Sequence, residues 1–325
     1  PATAGPVAVK CRGVSRAGEN MRIVFIGASA FGLKCLRAAS TIAGCEVVGA
    51  LTAPRKFSIS YRPEGVENVL HADISSCCRS LNIPCLLMEN GMNDLQLFDE
   101  LSRLQPDAFL VAGWYHMLPR TWREMAPAYG LHASLLPDYS GGAPLVWAII
   151  NGESKTGITL FKFADGIDNG PVVGQSETPV ADDDTIATLY ERIERLGVQL
   201  ITEHLPRLAA GSAELKVQDE SKRRFFPQRS PEDGLIDWTK SSQELHNFIR
   251  AQTKPYPGAF TFWKGEKLTI WESRIINNHA ESASAAGEVL DDRKLLLVRT
   301  GTGAVEILSL CYKDDEASGS DFRKT

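Results

Sequence analysis

The stretch MRIVFIGASAFGLKCLRAAS, Met21–Ser40, decides the fold class of this chain. Its apolar first part predicts a buried strand, the GAS segment predicts a glycine turn, and the remainder has helical spacing. Apolar runs at Glu46–Ala53, Ile83–Glu89 and Pro106–Trp114 predict further strands, and DLQLFDELSRLQ predicts a helix between the last two. This alternation predicts an α/β domain with a Rossmann-like parallel sheet and helices on both of its faces.

The glycine turn raises the question of a bound nucleotide. Gly27 and Gly32 stand in GxxxxG spacing without a middle glycine, and no Lys-Ser or Lys-Thr pair follows them. Neither the dinucleotide fingerprint nor the phosphate loop is matched, which disfavours a nucleotide-dependent oxidoreductase. Two interpretations stay open: a tight turn without ligand contact, and a turn whose Ser29 and Phe31 line a substrate site.

The pattern of apolar and polar residues changes after Gly211. A polar connector leads into short β-type runs joined by glycine or acidic turns, a pattern typical of a small C-terminal β-barrel of the OB type. We therefore expect a flexible leader at 1–20, a catalytic domain at 21–206, a linker at 207–227, the barrel at 228–312 and a tail at 313–325. Inside the catalytic domain, residues 54–64 are expected to form a loop.

The composition excludes several classes of protein. Of 325 residues with net charge −5, residues 1–206 carry 17 basic and 22 acidic side chains and residues 207–325 carry 18 of each, so neither half resembles a polyanion binder. The seven cysteines lack CxxC spacing, which predicts reduced thiols in a cytoplasmic protein without a structural metal. No apolar run reaches the ~18 residues of a membrane span. A homo-oligomer is compatible with this composition.

Candidate chemistry lies on the loops that follow predicted strands, where open sheets bind ligands. His132 stands in GLHASLLP, His116 in GWYHMLP, and Asp165 and Asp168 in ADGIDNG. A histidine shuttles protons near neutral pH, and a carboxylate can orient it or hold a water. His132 and Asp168 are separated by enough chain for one helix and one strand, so they can meet at one sheet edge. From the pair alone, a buried histidine bonded to backbone remains the commoner outcome.

Longer sequence motifs decide between the catalytic and the structural interpretation of His132. HASLLP, a GG pair, WAIINGE, GITLF and DGIDNGPVVGQ follow one another over some fifty residues, and DGLIDWTKSSQELHNFIRA and PYPGAFTFWKGEKLTIW follow in the C-terminal part. From Met21 to about Leu310 the chain resembles the 10-formyltetrahydrofolate-dependent formyltransferase family. That family includes methionyl-tRNA formyltransferase, the amino-sugar N-formyltransferases and a formyltetrahydrofolate hydrolase domain.

The resemblance implies a site. The catalytic histidine and aspartate of the family fall on His132 and Asp168. The co-substrate 10-formyltetrahydrofolate would be held by the following set: Leu87, Met88, His116, Met117, Leu118, Asp165, Gly166 and Asp168. The acceptor and formyl group would be lined by a second set: Ser29, Phe31, Ser134, Gly142 and Trp147. The family chemistry requires no metal.

One position departs from the family pattern. The family has Asn-x-His, with the asparagine amide as an oxyanion donor, whereas this chain has Gly130-Leu131-His132. A backbone N–H, a water or another side chain could supply the donor, because glycine leaves room. Alternatively, the site has moved to hydrolysis of the formyl folate, or it has lost catalysis and only binds folate.

The distribution of charged residues bears on the class of acceptor. The segment TAPRKFSISYRPEGVENV has Arg55, Lys56 and Arg62 but also Glu64 and Glu67, and KRRFFPQR is the one basic cluster in a neutral C-terminal half. This balance disfavours a nucleic acid as partner and favours a small amine. The connector and barrel segments resemble those of the enzymes that formylate nucleotide-linked amino sugars, so the resemblance implies such a sugar as acceptor. An amino acid or a peptide-like amine fits the expected pocket equally, and methionyl-tRNA is the alternative acceptor.

Overall fold

The computed structural model describes residues 8–10, 19–59, 62–276, 284–292 and 294–324. They divide into two compact units. Unit 1 comprises the described residues up to Ser140 together with Gly157–Glu177 and Arg192–Phe225. Unit 2 comprises Gly141–Thr156, Thr178–Glu191 and the described residues from Phe226 onward. The units are therefore discontinuous in sequence, unlike the contiguous division expected from composition, because two segments before residue 192 cluster with the C-terminal part.

The helices and strands have the following bounds. The strands are β1 (Ala8–Lys10), β2 (Met21–Ile26), β3 (Cys45–Thr52), β4 (Lys56–Ile59), β5 (Arg62–Glu67), β6 (Cys85–Leu87), β7 (Ala108–Val111), β8 (Ala128–His132), β9 (Ser140–Gly141), β10 (Lys155–Lys162), β11 (Val172–Pro179), β12 (Glu214–Lys216), β13 (Phe225–Phe226), β14 (Ala259–Trp263), β15 (Glu266–Ile276), β16 (Leu297–Arg299), β17 (Ala304–Tyr312) and β18 (Asp315–Ser318). The α-helices are α1 (Ala30–Ala39), α2 (Ile74–Ser80), α3 (Leu95–Ser102), α4 (Arg120–Met125), α5 (Pro144–Ile150), α6 (Ile186–Ala209), α7 (Ser242–Arg250) and α8 (Gly319–Phe322).

The main sheet has nine strands in the order β1-β12-β11-β10-β8-β7-β2-β3-β6. The strands β6, β3, β2, β7 and β8 are parallel to their neighbours, as the alternation of apolar runs predicts. Beyond β8, antiparallel pairs join β10 to β8, β11 to β12 and β1 to β12. In the first of these, Thr159 lies opposite His132 and Phe161 opposite Gly130. The parallel part confirms the predicted Rossmann-like sheet, and antiparallel pairs extend it beyond β8.

The core of the parallel part follows from the apolar runs. Val24, Ile26 and Phe109 are completely buried, and Val111 is nearly so. Strands of this kind are apolar at consecutive positions because both faces of the sheet are covered. The core therefore fixes the central strands, and with them the ends of β7 and β8, where the candidate residues begin.

Unit 2 contains an antiparallel sheet in the order β14-β15-β17-β16, with β18 paired to β17. Helix α7 begins at a capping box, in which Ser241 accepts from the Glu244 N–H and the Glu244 carboxylate accepts from the Ser241 N–H. The small C-terminal antiparallel domain predicted from the short β-type runs is confirmed. Next to β16, the bridge Val289–Val298 is accompanied by backbone hydrogen bonds from Leu290 N to Leu297 O (2.9 Å) and from Arg299 N to Glu288 O (2.9 Å).

Several local expectations are wrong. Residues 54–64 do not form a simple loop, because β4 and β5 pair as an antiparallel hairpin. Residues 313–325 are not a tail, since β18 hydrogen-bonds along β17 and α8 follows it. The leader contributes β1, which pairs with β12 of the expected linker. The other leader residues, 1–7 and 11–18, lie outside the described part of the chain.

Candidate active site

His132 and Asp168 meet, as the sequence predicts. Nδ1 of His132 lies 3.6 Å from Oδ2 of Asp168, and the two side chains are 12% and 21% exposed. Their route to one another differs from the expected one. Because β10 is antiparallel to β8, its last residue, Lys162, lies opposite Tyr129. The loop after β10 must therefore return alongside β8 to bring Asp168 to His132.

The loop after His132 holds the imidazole in place. The Nε2 atom of His132 lies 2.8 Å from the carbonyl oxygen of Tyr139, so Nε2 carries a proton and donates it. Nδ1 is then the nitrogen that faces Asp168. The hydroxyl of Ser134 donates to Asp138 O at 2.7 Å, and Thr159 Oγ1 donates to Ser134 O at 2.6 Å. These hydrogen bonds hold the loop between His132 and Tyr139 in place, and this loop in turn holds the imidazole.

Ser134 stabilises its own loop. It is only 1% exposed, and its hydroxyl donates its proton within that loop. The side chain thus shapes the segment between His132 and Tyr139, and the position of this segment beside the formyl group stays a prediction.

The Asp168 loop depends on special backbone positions. Gly166 has φ +101°, and a Cβ on Gly170 would lie 1.7 Å from the Lys162 carbonyl oxygen. Asp168 itself has φ +50°, a left-handed conformation that is uncommon for a residue with a side chain. Arg123 Nη2 donates to Asp165 Oδ1 at 2.9 Å, and this hydrogen bond, with the charge of Arg120, lowers the pKa of Asp165.

The space beside Gly130 is filled. A Cβ on Gly130 would lie 2.2 Å from Cε1 and 2.5 Å from Cζ of Phe163. Gly130 and His132 are two residues apart on one strand, so side chains at both positions project from the same face. The aromatic ring therefore occupies the place of a side chain next to His132. The room that glycine was expected to leave for a water is taken by a group without a hydrogen-bond donor.

The residues expected to hold the pterin ring include exposed apolar groups. Leu87 is 47% and Met117 68% exposed, whereas Met88 and Leu118 are buried in the core. The Nε2 atom of His116 is buried and, within the described residues, has no hydrogen-bond partner. Burial lowers the pKa of His116, so its imidazole is neutral at pH 7. The His116 ring lies between aromatic neighbours, with its centroid 4.9 Å from that of Phe57 and 5.3 Å from that of Trp114.

The turn residues expected to line the acceptor have structural contacts. Ser29 is 1% exposed and its Oγ accepts the Gly32 N–H at 3.1 Å, which makes it the N-cap of α1. Phe31 is buried, and its ring packs where a side chain on Gly197 would stand. The tight-turn interpretation of GASAFG therefore accounts for both residues.

Gly142 and Trp147 belong to unit 2. A Cβ on Gly142 would lie 2.4 Å from the Gln228 Cα, and Trp147 Nε1 donates to Pro227 O at 2.9 Å. The guanidinium of Arg229 lies 4.7 Å from the Trp147 ring, a cation–π contact, and burial lowers the pKa of Arg229. The run KRRFFPQR thus contributes a stacked arginine rather than a free charge at this position.

Two features are absent from the part of the chain with assigned positions. There, no group of three or more His, Cys, Asp and Glu side chains is arranged to hold a metal ion. Within the same residues, no helix has the length and apolar character needed to cross a membrane.

Comparison with known proteins places the chain in a family. The formyl transferase model matches residues 21–205, and the formyl transferase C-terminal domain model matches residues 229–324. The chain is 32% identical over 302 residues to methionyl-tRNA formyltransferase of Caldanaerobacter subterraneus subsp. tengcongensis, with 92% of this chain and 94% of the relative covered. It is 30% identical over 295 residues to that of Lactococcus lactis subsp. lactis, at 88% and 89% coverage. The chain belongs to the formyl transferase family, whose members are enzymes that transfer formyl groups.

Solved structures share the fold. An N-formyltransferase from Helicobacter canadensis, in complex with folinic acid and dTDP-3-aminofucose, is 17% identical with a TM-score of 0.65, covering 88% of this chain and 98% of that one. Methionyl-tRNA formyltransferase from Clostridium thermocellum is 18% identical with a TM-score of 0.54, covering 79% and 95%. HypX from Aquifex aeolicus with tetrahydrofolic acid is 17% identical with a TM-score of 0.62, covering 94% of this chain, which spans about half of HypX (47%).

Proposed function

We propose that this protein transfers the formyl group of 10-formyltetrahydrofolate to a primary amine, with His132 and Asp168 as catalytic residues. The observation that carries the proposal is their juxtaposition, with Nδ1 and Oδ2 3.6 Å apart on partly exposed side chains. A histidine and a carboxylate in this relation can move a proton and stabilise a developing charge. Membership of the formyl transferase family supplies the class of reaction.

In the proposed reaction, the amine lone pair attacks the formyl carbon and the carbonyl oxygen becomes an oxyanion. Nε2 of His132 is engaged by Tyr139, so Nδ1 serves the reaction: in its protonated form it donates to the oxyanion. Asp168 takes the proton that the amine loses. The bond from the formyl carbon to N10 then breaks, the proton passes to N10, and tetrahydrofolate and the formamide leave. No metal takes part in these steps.

The folate end of the site is supported by the segment after β7. His116 offers an unsatisfied neutral nitrogen, and Leu87 and Met117 offer apolar surface that a ring could cover. Exposed apolar groups of this size are often binding surfaces.

A reducing compartment such as the cytoplasm belongs to the proposal, because the cysteines with described positions are unpaired thiols.

For the acceptor we propose a small amine, with a nucleotide-linked amino sugar first. The support is the pairing of the basic side chains that a polyanion would need. In the β4–β5 hairpin, Arg55 and Lys56 both lie near Glu67, with N–O distances of 3.9 and 3.8 Å. These two cations share one carboxylate, which offsets one of their two positive charges and weakens the attraction of the hairpin for phosphate groups.

The basic run KRRFFPQR is paired in the same way. Lys222 lies 3.4 Å from Asp219, Arg223 2.5 Å from Glu220, and Arg224 Nη2 2.6 Å from Asp138 Oδ2. Each of these three cations has an acidic partner from its own unit. The positive charges of these three side chains are therefore offset by acidic neighbours. The run resembles a solvated segment rather than a surface that binds phosphate groups.

Methionyl-tRNA is the second candidate acceptor. It is favoured by the relatives at 30–32% identity, which are methionyl-tRNA formyltransferases matched over about nine tenths of their length. The charge pairing and the relatives thus favour different acceptors.

The test measures formyl products by mass after incubation with 10-formyltetrahydrofolate and separate pools of amino-sugar nucleotides, amino acids and methionyl-tRNA. A formylated amino sugar supports the proposal. Formylated methionyl-tRNA as the preferred product overturns the proposed identity of the acceptor. Free formate without any amine would make the protein a hydrolase. Folate binding without turnover would make it a binding protein. His132→Ala should abolish product, and His204→Gln, a histidine of the same unit away from this loop, should not.

A further inference from the structure

We propose that Gln218, in the segment expected to be only a linker, is a positioning residue that holds Asp168 in its working conformation. This inference rests on the proposed function of the His132–Asp168 pair. The side chain of Gln218 is 7% exposed, and its Nε2 donates to Asp168 O at 2.7 Å and to Gly170 O at 2.6 Å. One amide group therefore fixes the backbone on both sides of residue 169.

The orientation of the amide is unambiguous. Both close partners are carbonyl oxygens, which only accept, so the nitrogen of Gln218 must face them and both of its protons are used. Its Oε1 faces the other way and lies 3.4 Å from Arg223 Nη2. Arg223 in turn donates from Nη1 to Ile167 O at 3.2 Å, so the same segment contacts the backbone just before Asp168 as well.

The Asp168 loop needs such support because its conformation is not one the chain prefers. A non-glycine residue at φ +50° is disfavoured by contacts of its Cβ with the backbone. Strained conformations of this kind persist when surrounding contacts impose them. One of the two hydrogen bonds from Gln218 acts on the carbonyl of Asp168 itself and the other on the carbonyl of Gly170. Together they act on the direction in which the Asp168 carboxylate projects from the backbone.

Gln218→Met tests the inference, because methionine keeps the length of the side chain and removes both donors. We expect kcat for formyl transfer to fall about 10- to 100-fold, with the KM for 10-formyltetrahydrofolate changed less than about threefold, since small misplacements of catalytic groups act on the chemical step. In an Asp168→Asn background the same change should lower kcat less than about threefold, because its target is already disabled.

A second readout is independent of turnover. The Nδ1 resonance of His132 in the free protein, assigned by its loss in His132→Ala, should shift in Gln218→Met in the same direction as in Asp168→Asn. Asn247→Leu is the matched control: it removes a buried amide of unit 2 that accepts from Arg250 Nε at 3.0 Å, and should lower the unfolding temperature without moving the resonance. Should Gln218→Met not fold, Gln218→Glu, which has the same shape but places a carboxylate against both carbonyls, replaces it.

The outcomes separate this inference from the proposed function. A wild-type protein without formyl transfer would overturn the proposed function, and the resonance alone would then decide the positioning role. A wild-type enzyme that transfers formyl groups, with kcat and the resonance unchanged in both Gln218 variants, would overturn the inference. Equal losses of kcat in the wild-type and Asp168→Asn backgrounds would also overturn it, since Gln218 would then act independently of Asp168.

Discussion

Gly130→Asn gives the most informative perturbation of the site, because Phe163 stands in its way. The new Cβ would lie 2.2 Å from Cε1 of the ring, against an ordinary carbon–carbon contact of about 3.5–4.0 Å. The ring must move by more than an ångström, and overpacking of this kind costs about 1–3 kcal/mol. For a domain of this size we expect the unfolding temperature to fall by about 2–12 °C. The rate of formyl transfer should not rise.

The ring can be removed to make room for the amide. In Phe163→Ala the space beside His132 is open, and adding Gly130→Asn places a donor on the same face of β8 as the imidazole. One oxyanion donor is worth about 10²–10³ in rate when it is well placed. We expect the double variant to exceed Phe163→Ala alone by about tenfold or more in kcat/KM, since an unoptimised donor recovers part of that value.

The assay is release of tetrahydrofolate in the presence of the acceptor amine, with thermal unfolding recorded for each variant. The reasoning is refuted if Gly130→Asn alone keeps the wild-type unfolding temperature and raises the rate, because Phe163 would then not exclude a side chain. A double variant no faster than Phe163→Ala would refute the second part, since a missing donor would not limit the reaction.

Three further predictions follow from the same contacts. Asp168→Asn should lower kcat by about 10²–10⁴ with little change in folate KM, as expected for loss of a proton acceptor; unchanged kcat at neutral pH would contradict its role. Gly170→Ala should cost about 3 kcal/mol or more in urea unfolding, because its Cβ meets a backbone oxygen, while Gly91→Ala, with φ +84° and open space around it, should cost only about 1–2 kcal/mol; equal costs would show that the Gly170 clash relaxes freely. Burial lowers the pKa of His116 in the folded protein, so below about pH 6.5 the unfolded chain binds more protons and the free energy of unfolding falls. The urea midpoint should therefore fall less between about pH 7.5 and pH 5.5 in His116→Gln than in the wild-type protein. An identical fall in both would show that the pKa of His116 is not lowered in the folded protein.

The central strands and the candidate pair were predictable, for reasons visible in the residues. Consecutive apolar positions such as those of Met21–Ile26 have few alternatives to a buried strand. The direction of β10 was not predictable, because more than twenty residues separate it from β8 and a connection of that length can return in either direction. The hairpin Lys56–Glu67 was also missed, although Phe57, Ile59 and Tyr61 alternate with polar residues and so carried a strand signal.

The contacts that refine the site could not be read from the sequence. Phe163 fills the space at Gly130 because of the register between β8 and β10, and that register is set by the whole sheet. Gln218 reaches Asp168 across fifty positions of chain, from a segment whose polar composition indicates only a connector. Local patterns thus pointed to the proposed reacting groups, whereas the contacts that hold those groups in place depend on tertiary packing.

The most direct test of the central claim is the amine-dependent rate of tetrahydrofolate release from 10-formyltetrahydrofolate, compared between the wild-type protein and His132→Ala. We expect release that requires the amine, yields one formamide per tetrahydrofolate, and falls by about 10² or more in the variant. A rate that is independent of the amine, or one that His132→Ala leaves within about twofold, would contradict it.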